Sequence, residues 1–275
     1  MGTLSRVDEP WGEVGRLALA RPLAESLAGS GPGVIGATGG SGTRVLARLV
    51  QAGGMFIGTN LNPYEDALDF GLFSDRWINR TVSGARSVDA ETVAAMLADL
   101  EAIVERHCAD RPAEMHRWGW KEPRSIYLLP FFDAALPSLR FVHFVRDGRD
   151  MAFSENQNQL IKHGAAVLDQ DLLELQRPLQ SIALWNLVNL RAAEYAESRM
   201  GDRYIRVRFE DLCSDPAGTA RAVYAFLDLR GDPGDAARAE VKPPKTLGRW
   251  RNEKPATVEA LEEIAAPALT RFGYL

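Results

Sequence analysis

The sequence predicts an α/β domain with a mainly parallel central sheet flanked by helices. Three observations predict it. Short apolar runs at 34–37, 140–145 and 204–209 have the length and composition of buried strands. Each is followed by a segment whose apolar residues recur at helical spacing. Turn-forming residues, above all the Gly-rich stretch Gly39–Gly42, punctuate the junctions. No composition break marks a linker, so the 275 residues read as one domain with its core over about 33–253. A chain of that length buries a sizeable core without disulfide or metal staples.

Segment 11–28 is rich in Ala and Leu and reads as an N-terminal helix, broken by Gly29–Gly33. The run 34–37 reads as a strand, Thr38–Arg44 as a Gly-rich loop, and the following VLARLV as a helix. Residues 54–86 mix Asn, Pro, Gly and aromatics and read as irregular. Residues 87–108 form an amphipathic helix, with Ser87 placed to cap it and Asp89 and Glu91 suited to its first turn. Arg117–Trp120 reads as a short strand, 125–136 as a helix stopped by Pro137, and 140–145 as a strand. A helix over 149–160 follows the polar turn RDGRD. The Gln- and Asn-rich segment 155–180 reads as mobile, and a long helix begins near Pro178 and runs to about Met200. After the strand at 204–209 come a turn (EDLCSDP), a helix over 216–229, a loop-rich stretch over 231–256 and a last helix over 256–271.

Composition narrows the function. With 46% apolar and 25% charged residues the chain is neither disordered nor collagen-like. A net charge of −5 gives a field that does not attract nucleic acid or an acidic membrane surface. Only five of the 32 basic residues are Lys, a bias that a GC-rich genome produces and that also suits bidentate phosphate or sulfate binding. Cys108 and Cys213 form neither a disulfide framework nor a zinc spacing, which fits a reducing compartment. No apolar leader opens the sequence and no run approaches 18 apolar residues, so the expected localisation is cytoplasmic.

Three features carry charge chemistry. A Gly-rich turn between strand and helix lets backbone N–H groups converge on an anion at the positive end of the helix. Thr38–Arg44 has that form. It is not a Walker A loop, because Gly42-Thr43-Arg44 lacks the Lys, and it does not fit the dinucleotide fingerprint. Arg146 stands at the carboxyl end of a strand, where ligands of open α/β sheets bind, and Ser154 follows eight residues later on the next predicted helix. The same residues also read as an Arg–Asp network of 146, 147, 149 and 150 that caps the loop. Lys121 follows a strand among Trp118, Trp120 and Pro123, and pairs either with a charged ligand or with its neighbour Glu122.

On these residues the chain resembles the sulfotransferases that use 3′-phosphoadenosine 5′-phosphosulfate (PAPS), especially the bacterial branch and the tyrosylprotein and carbohydrate enzymes. Gly39–Arg44 (GGSGTR) is similar to the family's 5′-phosphosulfate loop, and Phe141–Ser154 to its 3′-phosphate element. Lys121-Glu122-Pro123, Tyr204–Pro216 and Pro244–Trp250 are similar to further elements, in order, over roughly 33–253. The resemblance implies a P-loop-like three-layer fold, PAPS as co-substrate, no metal, and sulfuryl transfer to a hydroxyl or amine. It implies nucleotide contacts from Gly39, Gly40, Ser41, Gly42, Thr43, Arg44, Arg146, Ser154, Lys245, Thr246 and Arg249. It makes Lys121, then Arg44, the cation for the leaving oxygen, and Asp66 or Glu65 the general base; Asp69 is a third candidate. The acceptor is expected to be a small molecule or a carbohydrate.

Two departures stand out. Many members carry Lys or Arg where this chain has Gly40, and Phe209 replaces a Tyr. Among the His residues, His143 reads as a hydrogen-bonded core residue and His163 as a weaker base candidate, and His107 and His116 lack metal spacing. Specificity is expected in 55–86 and 155–180, where Tyr64, Phe70, Phe73 and Trp77 line either an apolar pocket or the core. The competing readings are an ATP-dependent small-molecule kinase with an atypical P-loop and a non-catalytic nucleotide-binding protein. Oligomeric state is not legible.

Overall fold

Among the described residues, five parallel strands form one sheet in the order β2–β3–β1–β4–β5. They are β1 (Gly33–Gly36), β2 (Met55–Phe56), β3 (Arg117–Lys121), β4 (Arg140–Val145) and β5 (Tyr204–Arg208). The computed structural model describes residues 31–82 and 88–275; the predicted helix 11–28 and Ser87 lie outside them. Around the sheet run α1 (Thr43–Ala52), α2 (Leu68–Thr81), α3 (Ala90–Ala109), a 3-10 segment (Pro123–Leu128) leading into α4 (Leu129–Ala135), α5 (Gly148–Ala152), α6 (Asn158–Val167) and α7 (Gln170–Leu173). Then come α8 (Arg177–Arg199), α9 (Phe209–Ser214), α10 (Pro216–Leu227), α11 (Pro233–Glu240) and α12 (Pro255–Arg271).

Strand side chains alternate between two faces, which sorts them into two cores. Val34, Trp118, Trp120 and Phe141 pack with α2, α3, α4 and α8. Ile35, Val142 and Phe144 pack with α1, α10 and α11. A third cluster joins Val145 and α5 to α8 and α12. The first core is rich in aromatics: Phe70 stacks on Trp120 at 4.0 Å, and Phe73 packs on Phe131 and Phe132. Phe70, Phe73 and Trp77 are therefore core residues.

The chain leaves β1 toward the β2 edge, returns to β3, and crosses β1 to reach β4. β1 is thus the point where strand order reverses, and a crevice opens beyond its carboxyl end. The loops that follow β1, β2, β3, β4 and β5 all emerge at this end of the sheet.

Several predicted elements differ. The stretch 54–86 contains β2 and α2; α2 escapes notice because Ala67 supplies no side-chain cap and Gly71 interrupts its pattern. The helix predicted over 87–108 begins at Ala90, capped by Asp89, whose carboxylate accepts the Thr92 N–H at 2.7 Å. The helix expected over 149–160 stops at Ala152, where Gln157 Nε2 donates to the carbonyls of Met151 and Ser154 and replaces continuing helical bonds. Ser154 therefore sits in a loop. The segment read as mobile carries α6 and α7. The helix expected over 125–136 is a 3-10 segment joined to α4, the EDLCSDP turn is largely α9, and the loop-rich 231–256 contains α11. No helix among the described residues is long and apolar enough to cross a membrane.

Candidate functional site

The loop after β1 is shaped by two glycines. Gly40 and Gly42 have φ of +82° and +81°, in the left-handed region that L side chains avoid. A Cβ on Gly40 would stand 2.9 Å from Ser154 Oγ, and one on Gly42 would stand 2.9 Å from the Phe209 ring. The departure at position 40 thus has a local cause: a side chain there displaces Ser154. The Ser41 hydroxyl donates back to the Thr38 carbonyl at 2.6 Å, so this residue offers its backbone to the site. Thr43 opens α1 and is buried, and Arg44 is exposed beside it. The chain therefore presents α1's N-terminus to the crevice.

Lys121 is the last residue of β3 and is 2% exposed. Its ammonium donates to the Tyr64 carbonyl at 2.8 Å and to Asp66 Oδ1. The loop after β2 reaches it because the Ala67 N–H donates to the Lys121 carbonyl at 2.9 Å. Asn62, which sequence reasoning did not single out, shapes that loop. Its Oδ1 accepts the N–H groups of Tyr64 and Asp66 at 2.8 and 2.9 Å, and its Nδ2 donates to Asp66 Oδ2 at 2.8 Å. The Asn-Pro pair at 62–63 was the available signal for such a turn.

Glu65 has φ of +64° and accepts from Arg48 Nε at 2.7 Å on α1. It does not line the cleft, so of the two adjacent acids only Asp66 faces Lys121. Asp69 is likewise turned away and accepts from Asn60. Glu122 does not pair with Lys121. It is buried and bonded at 2.5 Å to Arg124, whose charge opposes the upward push that burial gives its carboxyl. His163 is bonded to Asn79 and pushed down to about 4 by burial, and it does not line the cleft, which removes it as a base. His143 lies in the core as expected, between Tyr204 OH at 2.8 Å and Asn189 Oδ1 at 2.9 Å. His107 is also buried, with Nε2 2.7 Å from the Gly119 carbonyl.

The Gly-rich loop, Asp66, Lys121, Arg124 and the start of α6 line one cleft of about 550 Å³. A second cluster adjoins the loop. Arg146 Nη2 donates to Asp150 at 2.9 Å and to the Thr246 carbonyl at 2.7 Å, and the guanidinium lies 5.0 Å from the Phe209 ring centroid. Arg149 pairs with Asp147, so the Arg–Asp network exists. It leaves donors over: Arg146 Nε is buried without a partner. Among the described residues Arg249 donates to carbonyls, those of Phe153 at 3.1 Å and Thr246 at 3.3 Å. Burial and the neighbouring Arg146 both pull the Arg249 guanidinium below its ordinary value. Two adjacent cations with spare donors, beside Ser154 and the glycine loop, suit an anionic group. Lys245 is exposed on the same 244–250 segment, which Asp150 clamps by accepting the Gly248 N–H at 2.7 Å. No group of acidic, His or Cys side chains that could hold a metal occurs among the described residues.

Comparison with known proteins places this geometry. The chain is 30% identical over 177 residues to human carbohydrate sulfotransferase 6 and mouse carbohydrate sulfotransferase 5, matches that cover 54% of this chain. They span 44% of each relative, so the chain covers less than half of those proteins. Sulfotransferase STF9 from Mycobacterium avium superposes with a TM-score of 0.55 at 16% identity, covering 97% of this chain and 84% of that one. A sulfotransferase from Alicyclobacillus acidocaldarius superposes with a TM-score of 0.53 at 19% identity, covering 87% and 93%. At such identities these structures establish the P-loop-like fold alone. The family model described as "Sulfotransferase family" matches residues 41–233, from the glycine loop through the start of α11. That match takes in more than half of the sequence, and this chain belongs to the sulfotransferase family.

Proposed function

We propose that the protein transfers a sulfuryl group from PAPS to a hydroxyl or amine of an acceptor and releases adenosine 3′,5′-bisphosphate. The observation that carries this reading is the Lys121–Asp66 pair, set at the end of β3 in the cleft that the glycine loop opens into. The loop and α1's N-terminus suit the 5′-phosphosulfate, and Arg146, Ser154, Thr246 and Arg249 suit the 3′-phosphate. PAPS supplies an activated sulfuryl group: a bond forms from the acceptor oxygen to sulfur as the bond from sulfur to the 5′-phosphate oxygen breaks.

The chain's own residues handle the proton and the charge. Asp66 takes the proton of the acceptor hydroxyl. Lys121 stabilises the negative charge that grows on the leaving oxygen, an interaction stronger in the transition state than before it. The two roles are coupled, because a neutralised Asp66 loosens its hold on the Lys121 ammonium as that charge develops. Arg44, at the mouth, supplies further positive potential.

Thermal stabilisation separates the readings. Adenosine 3′,5′-bisphosphate at about 100 times its Kd is expected to add about 2.7 kcal/mol, and ATP with Mg²⁺ or NAD to add little. A shift with ATP and Mg²⁺ alone overturns the proposal in favour of a kinase. Lys121→Ala is expected to lower turnover about 10²–10³-fold while the bisphosphate still stabilises the protein. Turnover within about threefold of the parent sinks the role of Lys121, and no transfer from PAPS to any acceptor leaves a nucleotide-binding protein without chemistry.

A further inference from the structure

We infer that the acceptor is an uncharged alcohol or phenol carrying an apolar alkyl or aryl body, held by the α2 side of the cleft. This rests on the sulfuryl-transfer reading of the same site. Two independent features of the cleft wall point to it, one of charge and one of apolar surface.

Three cations of that wall each have a carboxylate partner, and Arg44, which also lines the cleft, stands at the start of α1 on the glycine-loop side. Arg124 donates Nε to Glu122, Nη1 to Asp75 and Nη2 to the Gly71 carbonyl. Lys162 donates to Asp75 at 2.7 Å. Lys121 is occupied by Asp66 and the Tyr64 carbonyl. Three carboxylates (66, 75, 122) thus balance three cations (121, 124, 162) across the acceptor side. The spare donors of Arg146 and Arg249 belong to the other cluster, beyond Ser154. A carboxylate or sulfate on the acceptor would have to compete with existing ion pairs and desolvate beside Asp66 and Asp75. A neutral acceptor does neither.

The same wall also exposes apolar side chains to solvent. Six large apolar side chains are exposed among the described residues, and three of them line this one cleft. Tyr64 is 65%, Leu68 40% and Leu72 67% exposed. Leu68 and Leu72 are one turn apart and so share a face of α2. Tyr64 belongs to the loop whose carbonyl holds Lys121, which makes the apolar strip continuous with the Lys121–Asp66 pair. An acceptor whose hydroxyl reaches Asp66 lays its body along that strip, and burial of the body against Leu68, Leu72 and Tyr64 supplies affinity that charge cannot supply here.

The test is calorimetric titration of 4-ethyl-, 4-butyl- and 4-hexylphenol, with 4-hydroxybenzoate and a sulfated N-acetylglucosamine disaccharide as anionic controls. Each ligand is titrated with and without adenosine 3′,5′-bisphosphate. Affinity is expected to rise about two- to fourfold per added methylene, with the anionic controls at least about tenfold weaker than 4-butylphenol. Leu72→Asp is expected to flatten the series, and Leu72→Ser to weaken its slope. Bisphosphate stabilisation reports that each variant is folded. A flat series in the parent protein, or tighter binding of either anionic control, overturns the inference. The two readings fail separately: loss of the bisphosphate shift removes the sulfuryl-transfer reading, whereas a retained shift with a flat series removes only the acceptor class.

Discussion

Asn62 decides where Asp66 points. Its side chain accepts two backbone N–H groups of the loop and donates to the carboxylate that faces Lys121. Asn62→Ala removes three hydrogen bonds at once and is expected to lower kcat about tenfold or more while the bisphosphate shift persists. Asn62→Asp sets a second carboxylate against Asp66. Like charges disfavour ionisation, so the acid limb of its kcat profile is expected to move to higher pH. A pH–rate profile that does not move, with kcat unchanged, denies Asn62 this positioning role. The choice among the acids of NLNPYEDALDF was not legible in the sequence, where all three occupy one short polar stretch. Glu65 is drawn to Arg48 and Asp69 to Asn60, contacts set by where α1 and α2 pack. The placement of Lys121 at the end of β3 was legible, since a rare Lys ends a run of buried strand residues.

The elements that carry the glycine loop have their own signature. The β1–loop–α1 unit was readable because an apolar run, four small residues and a helical pattern follow in register. Gly40→Ala is expected to cost about 1–2 kcal/mol of stability from the left-handed backbone alone. It is also expected to weaken the bisphosphate shift, because the new Cβ presses on Ser154 Oγ. Chemical denaturation with and without the bisphosphate checks both effects, and an Ala variant as stable and as responsive as the parent shows that this loop is not strained. By contrast, one helix was expected over 149–160, and α5 stops at Ala152. Nothing local ends α5; the Gln157 side chain does so by capturing two carbonyls from beyond the break. That break turns Ser154 toward Gly40.

At the scale of the whole molecule, the sheet core couples stability to pH. His143 lies on β4 with no solvent exposure, bonded to Tyr204 on β5 and Asn189 on α8, and burial pushes it down to about 4. The folded state keeps this ring neutral, whereas the unfolded chain protonates it near the ordinary value of about 6.5. The unfolded state therefore binds more protons between those values. Stability is full above about pH 6.5 and falls as pH drops toward about 4, by up to about 1.4 kcal/mol per pH unit from this group. Thermal unfolding from pH 7 to 4 is expected to show that decline, with a shallower slope in His143→Gln. Equal slopes in parent and variant remove His143 as the source.

The sequence by itself determined the parallel α/β architecture, the glycine loop between β1 and α1, and the placement of Lys121 and Arg146 at strand ends. Those features follow from local rules: strand and helix periodicity, small residues where the backbone turns left-handed, and the emergence of loops at the carboxyl ends of parallel strands. Only the tertiary structure decided that Asp66 rather than Glu65 meets Lys121, that Glu122 belongs to Arg124, and that Phe70, Phe73 and Trp77 are core while Tyr64, Leu68 and Leu72 face the cleft. The physical reason is separation. Lys121 and Asp66 lie 55 residues apart, and they meet because the loop after β2 hydrogen-bonds to the last carbonyl of β3. Such a contact depends on strand order and loop packing together, and no window of neighbouring residues contains it.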